Sequence, residues 1–434
     1  MKKFLALILA LVMALSLVAC GGNSGAQGEG DGDAATGSVY YLNFKPEAEE
    51  AWQALAKTYT DQTGVPVKVV TAASGEYETM LVSEMDKDGA PTLFQCNEGG
   101  VATWGDFCYD LSDSTVYNEL ASKDYALKNA DGEVISIAYC LETYGIIVNK
   151  ALLEQAGHSL DEITDFDSLK AVADDIHARA GELGFDAFTS AGLDGSSSWR
   201  FSGHLANMPL FYEFRDDGVS SKPATIKGTY LDNYKKVWDL YITDSATTGA
   251  ALLTATGDQA EAEFGEGKAV FYQNGTWEYS NLTEKFGMNP DDLTMIPIYC
   301  GVEGEEKAGL FTGTENYWSV NKNAKEEDIK ATLDFLYWVV TSEEGTSMMA
   351  EQFGACPFNS SKAPSNPFSA LANEYVANGC YPVTWAFNYT PAVNDWRAAV
   401  VDALSKYTAG DGSWDDVKTA FVEGWATQYA NENA

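Results

Sequence analysis

Three short apolar segments alternate with two amphipathic segments near the start of the globular part of the chain, and this order limits the fold more than any other feature. Strands are predicted over residues 39–42, 65–70 and 91–94, and the stretches between them carry apolar residues at helical spacing. This order predicts an α/β fold with parallel strands and right-handed crossovers, in which a ligand binds beyond the carboxyl ends of the strands. The polar loops that follow the three strands are residues 43–47, 73–77 and 95–98.

The chain begins with a predicted secretory signal over residues 1–19. Two lysines precede an apolar run of sixteen residues that stops at small residues, which is typical of a cleaved signal and short for a spanning helix. Cys20 follows Leu-Val-Ala, which resembles the lipobox where bacterial lipoproteins are cleaved and acylated. Residues 20–38 are rich in glycine and predict a flexible tether. We therefore expect a lipid anchor on the extracytoplasmic face of a membrane; the alternative is an ordinary signal in which Cys20 has no role.

Length and charge bound the number of lobes and the kinds of partner. Of the 434 residues, 415 follow the predicted signal, and a single core stops growing at about 250–300 residues, so more than one lobe is expected. Lys and Arg number 27 against 64 Asp and Glu, a net charge of -37. Such a surface repels nucleic acid and anionic lipid headgroups, so neither is an expected partner.

The cysteines and histidines give no sign of a metal site. Six cysteines besides Cys20 are spaced without a compact framework, so buried free thiols are predicted, although the compartment permits disulfides. The three histidines lack ligand spacing and no C-x-x-C occurs. No metal, cofactor or catalytic residue is expected.

Residues 135–150 form an apolar stretch that is too long and irregular for one strand, as a segment that crosses between two lobes would be. Glu142 is the charge embedded in it. This carboxylate either faces solvent on an edge strand or is buried, in which case it needs a partner. Further along the chain, Thr341 and Glu344 have the spacing of a capping box.

Several segments resemble, in order, the extracytoplasmic solute-binding proteins of ABC importers, and specifically the carbohydrate-binding group that includes maltose-binding protein. Two positions depart from the family pattern: Val148 stands where tyrosine is frequent, and FQCNEGG replaces a more aromatic version. The segments that carry the resemblance are LVAC with its tether, TGVPVKVV, GAPTLFQCNEGG, AYCLETYGIIVNKALLEQAG, AEFGEGKAVFYQNGTWEYSNL, ENYWSVNKNAKEEDIKATLDFLYWVVTSEEG and FGACP.

The resemblance implies a two-lobe periplasmic-binding-protein-like (Venus-flytrap) fold with a hinge of crossing strands. Lobe 1 would comprise residues 39–138 and 313–360, and lobe 2 residues 139–312 and 361–434. The lobes would close over a sugar, which an ABC permease in the membrane then receives. A monomeric binding protein without enzymatic activity is expected.

The resemblance also implies which residues would hold the sugar. Trp277 matches the family's stacking tryptophan, and Asn274 lies on the same turn. Glu142 matches an acidic ligand-binding position in the crossing strand. Asn316 matches the loop in which the chain re-enters lobe 1; the alternative role for Asn316 is capping. The loops after the first three strands would supply Lys45, Glu47, Ser74, Gln95, Asn97 and Glu98; the alternative is that these are solvated loop residues. Lobe 2 would add Trp199 and Arg200. It would also add one further tryptophan, either Trp385, which we favour, or Trp396.

Two other functions are compatible with these residues. An anchored glycosidase also displays aromatic side chains and paired carboxylates, although 64 acidic residues make such a pair uninformative. A two-lobe binder could instead take a peptide, a polyamine or an organic acid, because Glu47, Glu98 and Glu142 would suit a cation.

Overall fold

The computed structural model describes residues 37–433. The predicted signal, Cys20 and most of the tether lie outside the described residues. Twelve strands are present in the described part: β1 (Val39–Asn43), β2 (Val67–Thr71), β3 (Leu93–Phe94), β4 (Ala126–Lys128), β5 (Val134–Ala138), β6 (Glu142–Asn149), β7 (Asp186–Phe188), β8 (Ala269–Gly275), β9 (Leu293–Ile296), β10 (Ala308–Gly313), β11 (Tyr317–Val320) and β12 (Tyr381–Thr384).

The α-helices of the same residues vary from single turns to nineteen residues. They are α1 (Glu49–Thr63), α2 (Tyr77–Met85), α3 (Val101–Trp104), α4 (Thr115–Asn118), α5 (Lys150–Gln155), α6 (Phe166–Ala178), α7 (Ala180–Leu183), α8 (Asn207–Asp217), α9 (Leu231–Thr243), α10 (Gly257–Gly265), α11 (Glu326–Thr341), α12 (Glu343–Gln352), α13 (Phe368–Ala377), α14 (Val393–Ala409) and α15 (Trp414–Glu432).

The strands form two separate sheets, one in each lobe. The lobe 1 sheet has the order β2-β1-β3-β11-β5-β4, and β1 is parallel to both β2 and β3. The predicted parallel strand–helix–strand–helix–strand unit is therefore confirmed. The lobe 2 sheet has the order β12-β10-β6-β8-β7, with β9 also paired to β6. The boundaries given above for the lobes stay a prediction.

Within residues 37–433 the chain crosses between the two sheets three times, and the first two crossings lie next to each other. The apolar stretch 135–150 is two strands, because β5 belongs to the lobe 1 sheet and β6 to the lobe 2 sheet. The chain returns between β10 and β11, and the amide of Tyr139 donates to the carbonyl of Asn316 at 3.0 Å. The two crossings are thus hydrogen-bonded to each other and form the hinge.

Each lobe has its own aromatic core. In lobe 1 the ring of Trp318 stacks at 4.6 Å on Tyr139, which belongs to the first crossing segment, and meets Trp52 edge-on at 6.0 Å. In lobe 2 Trp396 is fully buried, its indole nitrogen donates to the carbonyl of Phe421 at 2.9 Å, and it packs against Trp425. Trp396 is therefore a core residue. No helix of the described residues is long and apolar enough to cross a membrane.

Residues 37–433 contain six cysteines. Four of them are buried, Cys356 and Cys380 are half-buried, and all six are free thiols.

The predicted capping box is wrong. Thr341 is still the last residue of α11, and its hydroxyl donates to the carbonyl of Tyr337 at 2.6 Å. Ser342 caps α12 instead, because its Oγ accepts from the amide of Gly345 at 3.0 Å.

Gly145, in the middle of β6, allows a close approach of another backbone. A Cβ added there would lie 2.4 Å from the carbonyl oxygen of Ile296. We expect Gly145→Ala to destabilise the protein by about 1–3 kcal/mol, because the strands must move apart. Urea unfolding measures the change, and Gly89→Ala, where an added Cβ meets nothing within 4 Å, is the matched control. Equal stability of the two variants would contradict this reading of β6.

Candidate functional site

A cavity of about 800 Å³ lies between the lobes, next to the hinge. Lobe 1 contributes the loops that follow β1, β2 and β3, which is the edge of the sheet where a ligand was predicted. Lobe 2 contributes the segment 195–204, the start of α10, the turn after β8 and the first turns of α14. The cavity is at the upper end of the size range of small-molecule sites.

Ten of the thirteen predicted site residues line this cavity. They are Lys45, Glu47, Ser74, Gln95, Asn97, Glu142, Trp199, Arg200, Asn274 and Trp277. Residues that are distant in sequence are thus brought to one place from both lobes and the hinge.

A buried ion pair joins lobe 1 to the hinge at the back of the cavity. The ammonium of Lys45 lies 2.6 Å from Glu142 Oε1 and 2.9 Å from Glu47 Oε1. The side-chain amide of Asn316 donates to Glu142 Oε2 at 2.6 Å. Burial opposes the charge of Lys45, but the carboxylates of Glu142 and Glu47 outweigh it and raise the lysine pKa above its usual value. Of the two interpretations of Glu142 from the sequence, solvent exposure on an edge strand or burial with a partner, the structure therefore supports burial with partners.

Two tryptophans of lobe 2 form an aromatic wall. The rings of Trp199 and Trp277 lie 6.1 Å apart, and both are half-buried. Trp277 folds back over Gly275, where an added Cβ would lie 2.2 Å from its ring. The ammonium of Lys45 is 5.2 Å from the centroid of Trp277, so lobe 1 contributes a cation over this wall.

Arg200 is fully buried in lobe 2 and holds backbone in place. Its guanidinium donates to the carbonyls of Gln273 and Ser190 at 3.3 and 3.0 Å and to Ser197 Oγ at 2.8 Å. The family resemblance implies that Arg200 binds the ligand. The hydrogen bonds show in addition that it holds two backbone segments of lobe 2 together.

Three predicted site residues do not line the cavity. The carboxylate of Glu98 accepts from the hydroxyl of Tyr317 at 3.1 Å. Asn316 is fully buried and acts through Glu142. Trp385, the favoured third wall, is 5% exposed and packs behind His204 at a ring distance of 5.9 Å, so neither it nor Trp396 faces the cavity. The ring of Trp385 packs against Gly313 and occupies the space that a side chain at position 313 would need. This contact explains why Trp385 lies in the core and not, as predicted, in the cavity wall.

Sequence reasoning missed several residues that line the cavity, among them His204, Glu261 and Glu278. His204 stacks on Tyr144 at 4.1 Å, and burial together with nearby cations holds its pKa well below the usual range, so its imidazole is neutral. A single acid among 64 acidic residues, or one of three histidines without ligand spacing, carries no signal of its own, but Glu278 directly follows Trp277.

Several residues that line the cavity carry buried polar atoms that have no hydrogen-bond partner among the described residues. Such atoms are rare when buried, because each costs free energy unless a partner is supplied. Those on cavity-lining residues are Gln95 Oε1, Arg200 Nε, His204 Nδ1, Glu261 Oε1, Glu278 Oε2 and Arg397 Nε. The cavity therefore offers donors and acceptors to a polar molecule next to an aromatic wall.

The lobes touch each other across the mouth of the cavity. Ser74 Oγ lies 3.5 Å from the carbonyl of Ser196, and a Cβ on Gly75 would be 2.4 Å from the carbonyl of Gly195. A Cβ on Gly99 of lobe 1 would lie 2.5 Å from Val393 Cγ1 of lobe 2. Glycine at these positions permits the lobes to approach closely.

Comparison with known proteins gives the family and the fold. The model of the bacterial extracellular solute-binding protein family matches residues 54–377. A search of curated proteins finds no match.

Solved structures that are similar include the solute-binding protein RafE in complex with raffinose, with 17% identity, a TM-score of 0.69, and coverage of 90% of this chain and 99% of that one. A chitin oligosaccharide binding protein has 16% identity, a TM-score of 0.69, and coverage of 91% and 99%. The GacH receptor of Streptomyces glaucescens, studied unliganded and with acarbose, has 19% identity, a TM-score of 0.66, and coverage of 91% and 99%. At these identities the structures show that the chain has the same two-lobe fold.

The ion pair at the hinge generates a stability prediction. We expect Lys45→Met to cost about 3–5 kcal/mol, because it leaves the buried carboxylate of Glu142 without a cation. The double variant Lys45→Met/Glu142→Gln removes that charge and should recover most of the loss. The free energy of unfolding in urea checks both. A single variant within about 1 kcal/mol of the wild type would show that Glu142 needs no partner.

Proposed function

Since the chain belongs to the bacterial extracellular solute-binding proteins, we propose that it captures a carbohydrate, an oligosaccharide of a few units, between its two lobes. Closure of the lobes then presents the loaded protein to the permease of an ABC importer, which moves the sugar into the cell. Contacts from both lobes exist together only in the closed form, so binding and closure are coupled.

The single observation that carries this proposal is the aromatic wall of Trp199 and Trp277 in the same cavity as buried polar atoms for which residues 37–433 supply no hydrogen-bond partner. A sugar has apolar C–H faces and a rim of hydroxyls, so it needs an aromatic plane and hydrogen-bonding groups at once. The similar structures whose names give raffinose, acarbose or a chitin oligosaccharide support the same ligand class. The cavity volume of about 800 Å³ favours several sugar units over one.

We further propose that the protein is held at the membrane by acylation of Cys20 and faces the extracytoplasmic side. The support is the sequence of residues 1–38, where an apolar run ends at Leu-Val-Ala-Cys and a glycine-rich tether follows. The tether would leave the lobes free to reach the permease. A monomer is sufficient for this function, since one chain supplies both walls of the cavity.

A cationic ligand such as a polyamine is the second candidate, because acidic side chains outnumber basic ones around the cavity. Three of the four lining cations, Lys45, Lys285 and Arg397, already face carboxylates at 2.6, 2.6 and 3.9 Å. The remaining carboxylates would suit an amine.

For both candidate ligands we propose binding without turnover. Incubation of the protein with oligosaccharides, followed by a search for shortened products, tests this.

A thermal-shift screen of raffinose, stachyose, chitin oligosaccharides, polyamines and peptides tests the ligand class. A ligand at 100 times its Kd adds about 2.7 kcal/mol of stability, so a binding sugar raises the midpoint clearly. We expect at least one sugar to do so. If a polyamine raises the thermal midpoint and no sugar does, the ligand is a cation and not a carbohydrate.

Trp277→Ala should abolish that shift, because it removes the stacking plane, while the ligand-free midpoint stays within about 2 °C. Tyr337→Ala, which truncates an aromatic residue that is 39% exposed on α11, is the control and should bind normally. A Trp277→Ala protein that unfolds without ligand would instead make Trp277 a core residue.

Closure is tested by a second pair of variants. Gly99→Ala places a methyl group 2.5 Å from Val393 Cγ1 and should keep the lobes apart, which lowers the affinity for the screened sugar. Gly99→Ala/Val393→Ala makes room and should restore binding. Isothermal titration calorimetry compares the two. Equal affinities of Gly99→Ala and the wild type would show that this contact is unimportant for closure.

A further inference from the structure

Glu278 lies at the floor of the cavity, in a short 3-10 turn (Thr276–Glu278) that follows β8. It is only 9% exposed although it lines the cavity. Its neighbour Trp277 belongs to the aromatic wall, so one turn delivers both side chains to the site. No part of the resemblance assigns Glu278 a role.

The two carboxyl oxygens of Glu278 have different surroundings. Oε1 accepts a hydrogen bond from the side-chain amide of Asn274 at 2.9 Å. That amide also donates to the hydroxyl of Tyr272 at 2.7 Å, so both of its N–H groups are used. Oε2 is buried and has no hydrogen-bond partner among the described residues. A buried polar oxygen on a cavity wall without a partner points to contact with the bound molecule.

The cations near Glu278 are engaged elsewhere. Lys45 is held by Glu142 and Glu47, and Arg200 donates to carbonyls and a serine. Lys285 pairs with Glu261 at 2.6 Å. The titratable and charged groups that face Glu278 are Glu47, Glu261, Tyr272, Lys45, Arg200 and Lys285.

Burial, and then the negative charges of Glu261 and Glu47, raise the pKa of Glu278 to about 8, which Arg200 and Lys45 only partly oppose. At neutral pH the side chain is therefore mostly a carboxylic acid. An acid in this form has an O–H to donate, whereas a carboxylate only accepts.

We propose that Glu278 contacts the ligand as an uncharged hydrogen-bond donor, giving its O–H to a hydroxyl or ring oxygen. This role of Glu278 rests on the proposed carbohydrate ligand, which has such acceptors. Ligand capture is then coupled to the protonation of one residue. Because only the neutral form donates, the apparent affinity falls with the neutral fraction, and binding at pH 9 is about tenfold weaker than at pH 7.

The first arm of the experiment needs no ligand. Thermal midpoints of the wild type and Glu278→Gln are measured from pH 4.5 to 9. The raised pKa means that stability from the neutral acid is fully present below about pH 4.5 and is lost as pH rises through about 8. The wild-type midpoint should therefore fall by roughly 5–10 °C relative to the variant over this range and then level off. Midpoints that run parallel would overturn the proposal, whatever the ligand is.

The second arm measures stachyose binding by calorimetry at pH 7 and pH 9. Wild-type affinity should drop about tenfold, whereas Glu278→Gln, whose amide N–H can donate in place of the acid, should bind equally within about twofold at both pH values. Glu278→Ala lacks the donor and should bind weakly at both. Wild-type affinity that is independent of pH, or a variant with the wild-type slope, would contradict the donor role.

The two proposals fail in different ways. If raffinose, stachyose and chitin oligosaccharides all fail to bind while the pH-dependent midpoint difference is present, the carbohydrate ligand is wrong and the neutral acid in the cavity is supported. If a sugar binds with the same affinity at pH 7 and pH 9, the proposed function holds and the role of Glu278 is wrong.

Discussion

The ion pair between Lys45 and Glu142 is the interaction on which the site depends. Its two charges come from lobe 1 and from the hinge, and they lie 2.6 Å apart with little access to water. A buried carboxylate without such a partner is strongly unfavourable, so the position of the first loop is fixed relative to the crossing strands. Asn316 occupies the other oxygen of Glu142 and links the second crossing to the same centre. The polar back wall of the cavity is therefore part of the hinge itself.

Small residues set how closely the lobes meet. At Gly75 and Gly99 the opposing surface of lobe 2 occupies the space that a side chain would need. These glycine contacts between the lobes are much less stabilising than a hydrophobic core. Closure of the lobes therefore depends on the ligand in the cavity. A protein that must open again to release its cargo benefits from such a weak rim.

The parallel arrangement of the first three strands, and the edge of their sheet where the cavity lies, were predictable because local patterns specify them. Alternating apolar segments indicated the parallel strands β1, β2 and β3, and the loops after all three strands contribute polar residues to one cavity, although Glu98 does not line it. The error at Trp385 has a different origin, because its burial depends on packing against Gly313 and His204, which are far away in sequence. The error at Thr341 is local, since its spacing to Glu344 fits a capping box but Thr341 is itself the last residue of the preceding helix. The acid at position 278 was overlooked because a chain with this many carboxylates gives no reason to single one out.

Strand β6 has a mechanical consequence that follows from its register. It begins at Glu142 in the hinge and pairs with β8 from Val148↔Phe271 to Tyr144↔Gly275, next to the turn that carries Trp277. The hinge carboxylate and the tryptophan are thus fixed to one rigid ladder, and movement of lobe 1 leaves their separation unchanged. Five of the ten predicted site residues that line the cavity, Glu142 and Trp277 among them, belong to the hinge and lobe 2, so their arrangement does not depend on the position of lobe 1.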